Sequence, residues 1–405
     1  MYTKCGNFKA SHQVFEGIQC KDLVSWKTMI WACIENARPR IALLMLSKMH
    51  SSCIEFNEGI LLGSISACLN AKEVQSAKQI HCYTLKQGSI NFVSVGTALL
   101  QTYGRSGELS LAVNLFNQIH PKDLVTWSVM ISIHAQSDHP GKSLDTFYHM
   151  KLANEKPNEV TFVSLLRACS SMGDQEVGES IHAYVIKSRY LLNTFISSIL
   201  IDFYCKIGEV GQGRKVFDEI PAKNLACWNS MLNGYGLNGI GHKALETFRS
   251  MLNCGVVPDE ITIISVLSAC SHCGLEHEGW ELFYSMKARY DISPELAHYA
   301  CMVDLLSRRG HIREAFAFVT KMPMEPDKQI WGAVLVGCRS LSGCIEVAEF
   351  VVDKLTGLDP QNSSYHVILS NLYAEQGRWG VVEKLRESVD EKGLKKAAGF
   401  SLVRS

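Results

Sequence analysis

The sequence lacks an excess of charge of either sign. Its 405 residues include 40 Lys and Arg against 40 Asp and Glu, which gives a formal net charge of zero. Bulk charge therefore gives no support to a nucleic-acid partner, and any basic surface must be local. Long apolar runs are also missing. The run 261–267 is interrupted by Thr262 and Ser265, and it is far shorter than the ~18 residues of a membrane-spanning helix. We expect no membrane partner.

Short motifs of the common enzyme classes are missing as well. The sequence contains no G-x-x-x-x-G-K-[ST], no G-x-S-x-G and no H-E-x-x-H, the patterns that bind phosphates, expose a nucleophilic serine or bind a catalytic zinc. We therefore expect a protein that is not an enzyme, with no catalytic residue and no cofactor.

The fifteen cysteines do not suggest a disulfide framework. Several recur at equivalent positions of a repeat, as small buried residues would, which favours a reducing compartment. Cys270 and Cys273 form one C-x-x-C with His277 nearby. A zinc site would need a second pair of ligands, so we interpret these residues as packing residues and assign no metal.

An internal repeat of 101 residues organises the chain. The step joins Trp26, Trp127 and Trp228, and it also joins Cys68, Cys169 and Cys270 and the triplet Phe15, Phe116 and Phe217. Each 101-residue block divides into units of about 35, 35 and 31 residues, and periods of 20–50 residues indicate a stacked array. The expected repeats are 23–57, 58–92, 93–123, 124–158, 159–193, 194–224, 225–259, 260–295 and 296–327. Residues 1–22 form a partial repeat, 328–395 a divergent helical extension and 396–405 a tail.

Apolar residues within a unit recur at helical spacing. In 225–259 the first set is Trp228, Met231, Leu232 and Tyr235, at i, i+3, i+4 and i+7. A break rich in Gly and Asn at 237–241 precedes a second apolar set, so each unit contains two amphipathic helices. Helical hairpins stacked in register predict an all-α fold, an α-solenoid of helix-turn-helix repeats.

The repeats resemble those of the plant pentatricopeptide repeat proteins, in the subgroup whose motifs alternate in three lengths. The stretches that carry the resemblance include LVTWSVMISIHAQ, VSLLRACSSMGDQEVGESIHAYVIKS and SSILIDFYCKIGEVGQGRKVFDEIP. The segment SSYHVILSNLYAEQGRW resembles the E-type extension of that subgroup, whereas the end, AAGFSLVRS, departs from it. The resemblance implies a right-handed α-solenoid.

The resemblance also implies a function, namely sequence-specific binding of single-stranded RNA in plant organelles, with one base read by each repeat. Members with an E-type extension act in C-to-U editing. A deaminase needs an H-x-E motif and a C-x-x-C motif, and no His here is followed at i+2 by Glu. We therefore expect an editing deaminase or accessory editing proteins to act in trans. The expected location is the mitochondrion, with the chloroplast as the alternative, and we identify no targeting segment in this sequence.

The resemblance assigns base reading to the fifth and last residues of a repeat. These candidate pairs are Lys27 with Asn57, Thr97 with Asp123, Ser128 with Asn158, Ser198 with Asn224, Asn229 with Asp259 and Ala300 with Asp327. Asp only accepts hydrogen bonds, which suits G or U, whereas Asn also donates, which suits A or C. The four regular pairs predict the target G-A-any-A-U, and the pairs that contain Lys27 and Ala300 depart from the pattern. Leu62, Val163 and Ile264 occupy the fifth position of the middle units and are interpreted as spacers.

Two other interpretations remain open. Ser, Thr, Asn and Asp are common at helix starts as N-caps, so each candidate position, taken singly, has an ordinary structural explanation. A protein-binding scaffold of the tetratricopeptide type is the alternative function. It is disfavoured because the units are not uniformly 34 residues long and the W-x₂-L-G-x₂-Y signature is absent.

The repeated tryptophans are interpreted as packing residues, and so are His81 and His182.

Overall fold

All regular secondary structure that the structure describes is helical. The computed structural model describes residues 7–52, 54–88, 92–137, 139–339 and 344–391. Within these ranges helices follow one another without a strand, which confirms the predicted all-α class. Each described helix is also too short or too polar to cross a bilayer. The predicted tail, 396–405, lies outside the described residues.

The described residues up to Tyr190 form a first compact unit. Its helices are α1 (Phe8–Gly17), α2 (Leu23–Glu35), α3 (Pro39–Ser51), α4 (Glu58–Ala71), α5 (Val74–Lys86), α6 (Val93–Arg105), α7 (Leu109–Gln118), α8 (Leu124–Ala135), α9 (Gly141–Leu152), α10 (Glu159–Met172) and α11 (Gln175–Lys187).

The described residues from Leu191 onwards form a second compact unit. Its helices are α12 (Thr194–Lys206), α13 (Val210–Glu219), α14 (Leu225–Leu237), α15 (Gly241–Asn253), α16 (Glu260–Cys273), α17 (Glu276–Tyr290), α18 (Leu296–Arg308), α19 (Ile312–Thr320), α20 (Lys328–Cys338), α21 (Ile345–Leu358), α22 (Ser364–Glu375) and α23 (Trp379–Glu391). The last four helices continue the hairpin pattern through the predicted extension.

The helices pack as a layered array within each compact unit. Helix α6 contacts both its hairpin partner α7 and the next first helix, α8, and α12 contacts α13 and α14 in the same way. Gly107 and Gly208 adopt φ of 77° and 91° between the two helices of their hairpins, a backbone conformation that costs glycine little. First helices therefore form one layer and second helices the other, as expected for an α-solenoid.

A side-chain cap starts most of the first helices. Asp22, Asn57, Asp123, Asn158, Asn224, Asp259 and Asp327 each accept a hydrogen bond from a backbone N–H in the first turn of the helix that follows. These helices begin at residues 23, 58, 124, 159, 225, 260 and 328, the first residues of units expected from the sequence. The division into repeats itself stays a prediction.

The three repeated tryptophans sit in three copies of one packing joint. Trp26, Trp127 and Trp228 lie edge-on to Phe15, Phe116 and Phe217, with ring centroids 5.0, 5.1 and 4.9 Å apart. Lys21, Lys122 and Lys223 lie over the same Phe rings and donate to the carbonyls of Ile18, Ile119 and Ile220 at 2.9, 3.0 and 2.8 Å. All three tryptophans are buried, which confirms their interpretation as packing residues.

Truncating one of these tryptophans should destabilise the protein strongly. Trp127 is 8% exposed, so Trp127→Ala leaves a cavity that should lower the free energy of unfolding by ~3–5 kcal/mol. Urea unfolding followed by circular dichroism measures the change. Trp379→Ala is the control, because Trp379 is 63% exposed and its loss should change the free energy by no more than ~0.5 kcal/mol. Equal effects of the two substitutions would contradict the packing role.

A glycine sets how closely two first helices approach. A Cβ on Gly236 of α14 would lie 3.2 Å from both Cα and Cβ of Ala269 on α16. Gly236→Val should therefore force α14 and α16 apart and lower the free energy of unfolding by ~1–3 kcal/mol.

The matched control for Gly236→Val is Gly332→Ala in α20, where an added Cβ would meet nothing within 4 Å. Alanine is the better helix former, so this change should raise the free energy of unfolding by ~0.5–1 kcal/mol. Thermal unfolding midpoints that moved in the same direction for both variants would argue against a close helix contact at Gly236.

Candidate functional site

The candidate pairs lie where the first helices of successive units meet. The last residue of a unit caps the next first helix, and the fifth residue lies one turn inside its own first helix. This places the two side chains of a pair on neighbouring first helices of the same layer. The six pairs differ in how the two side chains are connected.

Ser128 and Asn158 are hydrogen-bonded neighbours. The Ser128 Oγ donates to the carbonyl of Leu124 at 2.8 Å and lies 3.2 Å from Asn158 Oδ1. Thr161 touches both, since its Oγ1 lies 3.0 Å from Ser128 Oγ and 2.9 Å from Asn158 Oδ1. Its backbone N–H also donates to Asn158 Oδ1 at 3.0 Å. The structure thus brings this predicted pair together through Thr161.

Asn229 and Asp259 are joined directly. Asn229 Nδ2 donates to Asp259 Oδ1 at 3.1 Å, and Thr262 Oγ1 lies 2.7 Å from both Asn229 Oδ1 and Asp259 Oδ1. Burial alone would raise the pKa of Asp259, but hydrogen bonds from the side chain and backbone of Thr262 and from Asn229 outweigh burial, and the pKa is lowered. Asp259 is therefore an anion at neutral pH and offers only acceptor atoms.

Thr97 and Asp123 are linked through a third side chain. Thr126 Oγ1 lies 2.6 Å from Asp123 Oδ1 and 2.7 Å from Thr97 Oγ1. An ionised carboxylate only accepts, so the Thr126 hydroxyl donates to Asp123 and the Thr97 hydroxyl donates to Thr126. The order of donors and acceptors in this pair is fixed.

Ser198 and Asn224 are not hydrogen-bonded to each other. Ser198 Oγ donates to the carbonyl of Phe195 at 2.8 Å. Asn224 Oδ1 accepts from the backbone N–H of Cys227, and its Nδ2 donates to Thr194 Oγ1 at 3.0 Å. The amide group that was expected to read a base is therefore engaged within the protein.

The two irregular pairs are also unconnected among the described residues. Lys27 is exposed, and its Cε lies 2.7 Å from the position that a Cβ on Gly59 would take. Ala300 has no polar side-chain atom. Asn57 and Asp327 nevertheless cap their helices, with acceptor distances of 3.0 Å to the backbone N–H groups of Ile60 and Ile330.

Exposure separates the two positions in three of the four regular pairs, whereas Asn229 and Asp259 are both half-buried. At the fifth position, the residues Thr97, Ser128 and Ser198 are 8%, 3% and 6% exposed, so they are buried rather than set along an open groove. The last residues are more accessible, since Asp123 is exposed and Asn158 is half-buried. The accessible polar atoms of these pairs thus belong mainly to the last residue.

The cap occupies only one of the two terminal atoms of the last residue. In Asp123, Asp259 and Asn158, Oδ1 accepts all the hydrogen bonds of the cap. Asp123 Oδ2, Asp259 Oδ2 and Asn158 Nδ2 have no hydrogen-bond partner in the part of the chain that the structure describes. The first two present an acceptor to a ligand and the third presents a donor.

Exposed apolar residues next to the pairs were not predicted from the sequence. Val24, Val125, Val160, Phe195 and Ile261 are each more than half exposed, and each is the second residue of its expected unit. Positions three residues apart share a helix face, so Val125 lies beside Ser128 and Phe195 beside Ser198. These apolar residues recur at the same position of several repeats, and they lie outside the apolar face that each helix buries. That recurrence is the sequence signal that could have identified them.

The cysteines and histidines behave as packing residues. Burial raises the pKa of the Cys270 thiol to about 12, and Cys273 Sγ accepts from the backbone N–H of Gly241 at 3.0 Å. Cys270 is thus not set up as a thiolate metal ligand. His81 Nδ1 lies 3.0 Å from the Tyr103 hydroxyl, and burial lowers the pKa of His81, as expected for a structural histidine.

A cluster of side chains in the second compact unit, which begins at Leu191, offers several potential metal ligands. Ligand atoms of Glu276, His311 and Glu314 lie within 4.8 Å of one another. Arg309 Nε lies 3.8 Å from Glu276, and the His311 ring lies 3.4 Å from the same carboxylate. These contacts describe a surface ion-pair network, and we assign no metal to it.

Comparison with known proteins identifies the repeats. The sequence matches the family description "PPR repeat" at 24–54, 125–154, 195–225 and 262–290, "PPR repeat family" at 223–272 and "E motif" at 344–404. It is 37% identical over 414 residues to a mitochondrial pentatricopeptide repeat-containing protein of Arabidopsis thaliana, covering 100% of this chain and 62% of the relative. A chloroplastic relative from the same plant is 34% identical over 403 residues, with 100% of this chain and 50% of the relative covered.

The fold also matches a solved structure. The pentatricopeptide repeat protein PPR10, crystallised in complex with an 18-nucleotide psaJ RNA element, superposes with a TM-score of 0.76 at 18% identity. The match covers 96% of this chain and 59% of that one. The chain thus spans about half to two thirds of the length of these known proteins. It belongs to the pentatricopeptide repeat family and carries the family's E motif after its repeats.

Proposed function

We propose that this chain binds single-stranded RNA in a plant organelle and that its connected pairs each read one base. The observation that carries the proposal is the single unengaged polar atom that the last residue of a pair presents beyond its cap. Support also comes from PPR10, which was crystallised with RNA, and from relatives whose names place them in the mitochondrion or the chloroplast.

Base selectivity follows from the chemistry of the unengaged atom. Asp123 offers the acceptor Oδ2, which matches the N–H of a G or U edge, and Asn158 offers the donor Nδ2, which matches an acceptor on A or C. Asp259, held as an anion by its hydrogen bonds, selects U or G in the same way. The purine or pyrimidine choice at the fifth position follows the family's pattern and gives G for Thr97 with Asp123, A for Ser128 with Asn158 and U for Asn229 with Asp259.

The exposed apolar residues supply the nonselective part of the binding energy. Val125 and Val160 are the second residues of two consecutive repeats, and both lie in the first compact unit. They stand on either side of the pair formed by Ser128 and Asn158, and both are exposed. An aliphatic side chain beside a base excludes water from its flat face without regard to its identity. We assign the second positions to holding the bases and the last positions to distinguishing them.

The step that this RNA binding serves is proposed to be C-to-U editing. The E motif is the feature that favours editing. In this proposal the chain recognises the site and does not itself catalyse the reaction, and a deaminase is recruited in trans. We place the protein in the mitochondrion, with the chloroplast as the alternative. A protein-binding scaffold remains the second candidate, and it predicts no base preference in the experiments below.

Exchanging Asp123 for Asn should change the preferred base without disturbing the fold. Both side chains cap a helix through Oδ1, so Asp123→Asn replaces only the acceptor Oδ2 by a donor. The preference at the first position of G-A-any-A-U should move from G towards A by roughly tenfold, in line with ~1–3 kcal/mol for a base-edge contact. Fluorescence anisotropy with oligoribonucleotides that vary at this base measures the shift.

The matched control is Asp174→Asn. Asp174 caps α11, a second helix, by accepting from Val177, and it belongs to no candidate pair. This variant should bind all the oligoribonucleotides as the wild type does. An unchanged base preference in folded Asp123→Asn would refute the assignment of base reading, and binding that depended steeply on salt but not on sequence would indicate contacts to phosphate alone.

Removing an exposed apolar side chain should weaken binding without changing selectivity. Val125→Ser should lower the affinity for every oligoribonucleotide by a similar factor of roughly five, in line with ~1 kcal/mol for the apolar surface that the valine would bury against a base. The control is Val257→Ser, since Val257 is 73% exposed but lies at the end of its unit. A change in base preference in Val125→Ser, or an equal loss in both variants, would contradict the division of roles.

A further inference from the structure

A buried hydroxyl touches both members of each connected pair. It belongs to the third residue of the unit that follows, which is Thr126, Thr161 or Thr262. The geometry points to these threonines as positioning residues for base reading, which hold the two side chains of a pair so that one defined atom of the last residue faces the RNA. This inference rests on the proposed function.

The distances repeat from pair to pair. The Oγ1 atoms of Thr126, Thr161 and Thr262 lie 2.6, 2.9 and 2.7 Å from Oδ1 of the last residue. The same atoms lie 2.7, 3.0 and 2.7 Å from the polar atom of the fifth residue. Three copies of one geometry, two in the first compact unit and one in the second, argue against a chance arrangement.

These threonines act through their neighbours. Thr126, Thr161 and Thr262 are each 0% exposed, so an RNA strand does not reach them. A buried hydroxyl is costly unless it is hydrogen-bonded, and here the candidate pair supplies the bonds. The threonine and the pair are therefore coupled, because rotating the last side chain would leave a buried Oγ1 without its acceptor.

Hydrogen-bond direction gives the coupling a consequence for the ligand. In the first connected pair, Thr97 donates its only hydroxyl proton to Thr126, and Thr126 donates its own to Asp123. Thr97 can then only accept from a ligand, and the carboxylate keeps Oδ2 directed away from the cap. The threonine thus fixes both the orientation of the carboxylate and the hydrogen-bonding role of the fifth residue.

The chain contains a natural comparison. Ser128 with Asn158 and Ser198 with Asn224 have identical residue types, but the third residue that follows is Thr161 in one and Cys227 in the other. The pair with Thr161 is connected, with Asn158 Nδ2 unengaged. In the pair with Cys227, the Asn224 amide instead donates to Thr194. The pair with Cys227 in place of the buried threonine is therefore the pair whose two side chains are not connected.

Two pairs of the same composition should therefore differ in selectivity. The second base of G-A-any-A-U, opposite Ser128 and Asn158, should be discriminated more strongly than the fourth base, opposite Ser198 and Asn224. The fold-preference for A over G at each base, measured with oligoribonucleotides that vary at one position, gives the comparison. Equal preferences at the two bases would overturn the positioning role.

Removing one hydroxyl should abolish selectivity at one base alone. Thr161→Val keeps the shape of the side chain and the backbone N–H that caps through Asn158, but it removes Oγ1. The preference for A over G at the second base should fall at least threefold, while preferences at the other bases stay at wild-type values. Thr161→Ser, which restores the hydroxyl, should recover the wild-type preference.

The control for lost stability is Thr146→Val. Thr146 is also buried, and its hydroxyl donates to the carbonyl of Lys142 at 2.8 Å, away from any pair. This variant loses a comparable hydrogen bond and should retain every base preference. A folded Thr161→Val that keeps its preference at the second base would overturn the positioning role and leave the proposed function standing. A wild-type protein without preference at any base would overturn both.

A gain of selectivity provides the reverse test. Cys227→Thr introduces the missing hydroxyl beside Ser198 and Asn224, and it should raise the preference for A over G at the fourth base at least threefold. An unchanged preference at that base, in a variant that still binds the RNA with wild-type affinity, would contradict the inference.

Discussion

The side-chain cap at the start of most first helices is the constraint on which this structure depends. A helix leaves its first backbone N–H groups without partners, and the preceding residue must supply an acceptor. Asp and Asn meet this requirement equally well through Oδ1, as Asp123 and Asn158 illustrate. The fold therefore restricts the last residue to a few residue types but leaves its second terminal atom undetermined. In the proposed function, that freedom allows base preference to vary between repeats without altering the helices.

Burial of the fifth position limits what it does. Ser128 and Thr97 satisfy their hydroxyls within the protein, so their contribution to a ligand is an oriented acceptor rather than a mobile side chain. The last residue supplies the accessible atom, and apolar residues such as Val125 supply contact area. In the three connected pairs the proposed readout is stiff, because each polar side chain is hydrogen-bonded to at least one other. Stiffness favours discrimination, since a rotated amide would present the wrong atom.

The 101-residue repeat predicted the fold and singled out the residues of the candidate site, and the limits of such a prediction are physical. Trp127 and its copies mark the packing joint, and the unit boundaries expected from the repeat spacing coincide with helix starts such as Leu124 and Glu159. The links through Thr126 and Thr262 were not predicted, because sequence spacing does not determine which of several hydroxyls lies within 3 Å of a carboxylate. Val125 was not predicted because helical periodicity identifies the apolar residues on the buried face of a helix and not those on its exposed face.

The packing joint and the cap are adjacent in the chain, which connects stability to recognition. Lys122 is held by the Phe116 ring and the Ile119 carbonyl, and Asp123 follows it directly. The lysine is thereby directed to the packing joint instead of pairing with the neighbouring carboxylate, so Asp123 keeps its free acceptor. Because the chain has no net charge, its bulk charge adds no attraction for a polyanion. In the proposed function, base edges and apolar contact supply the selectivity, and the joint that stabilises the array also preserves the polar atoms that would distinguish one RNA from another.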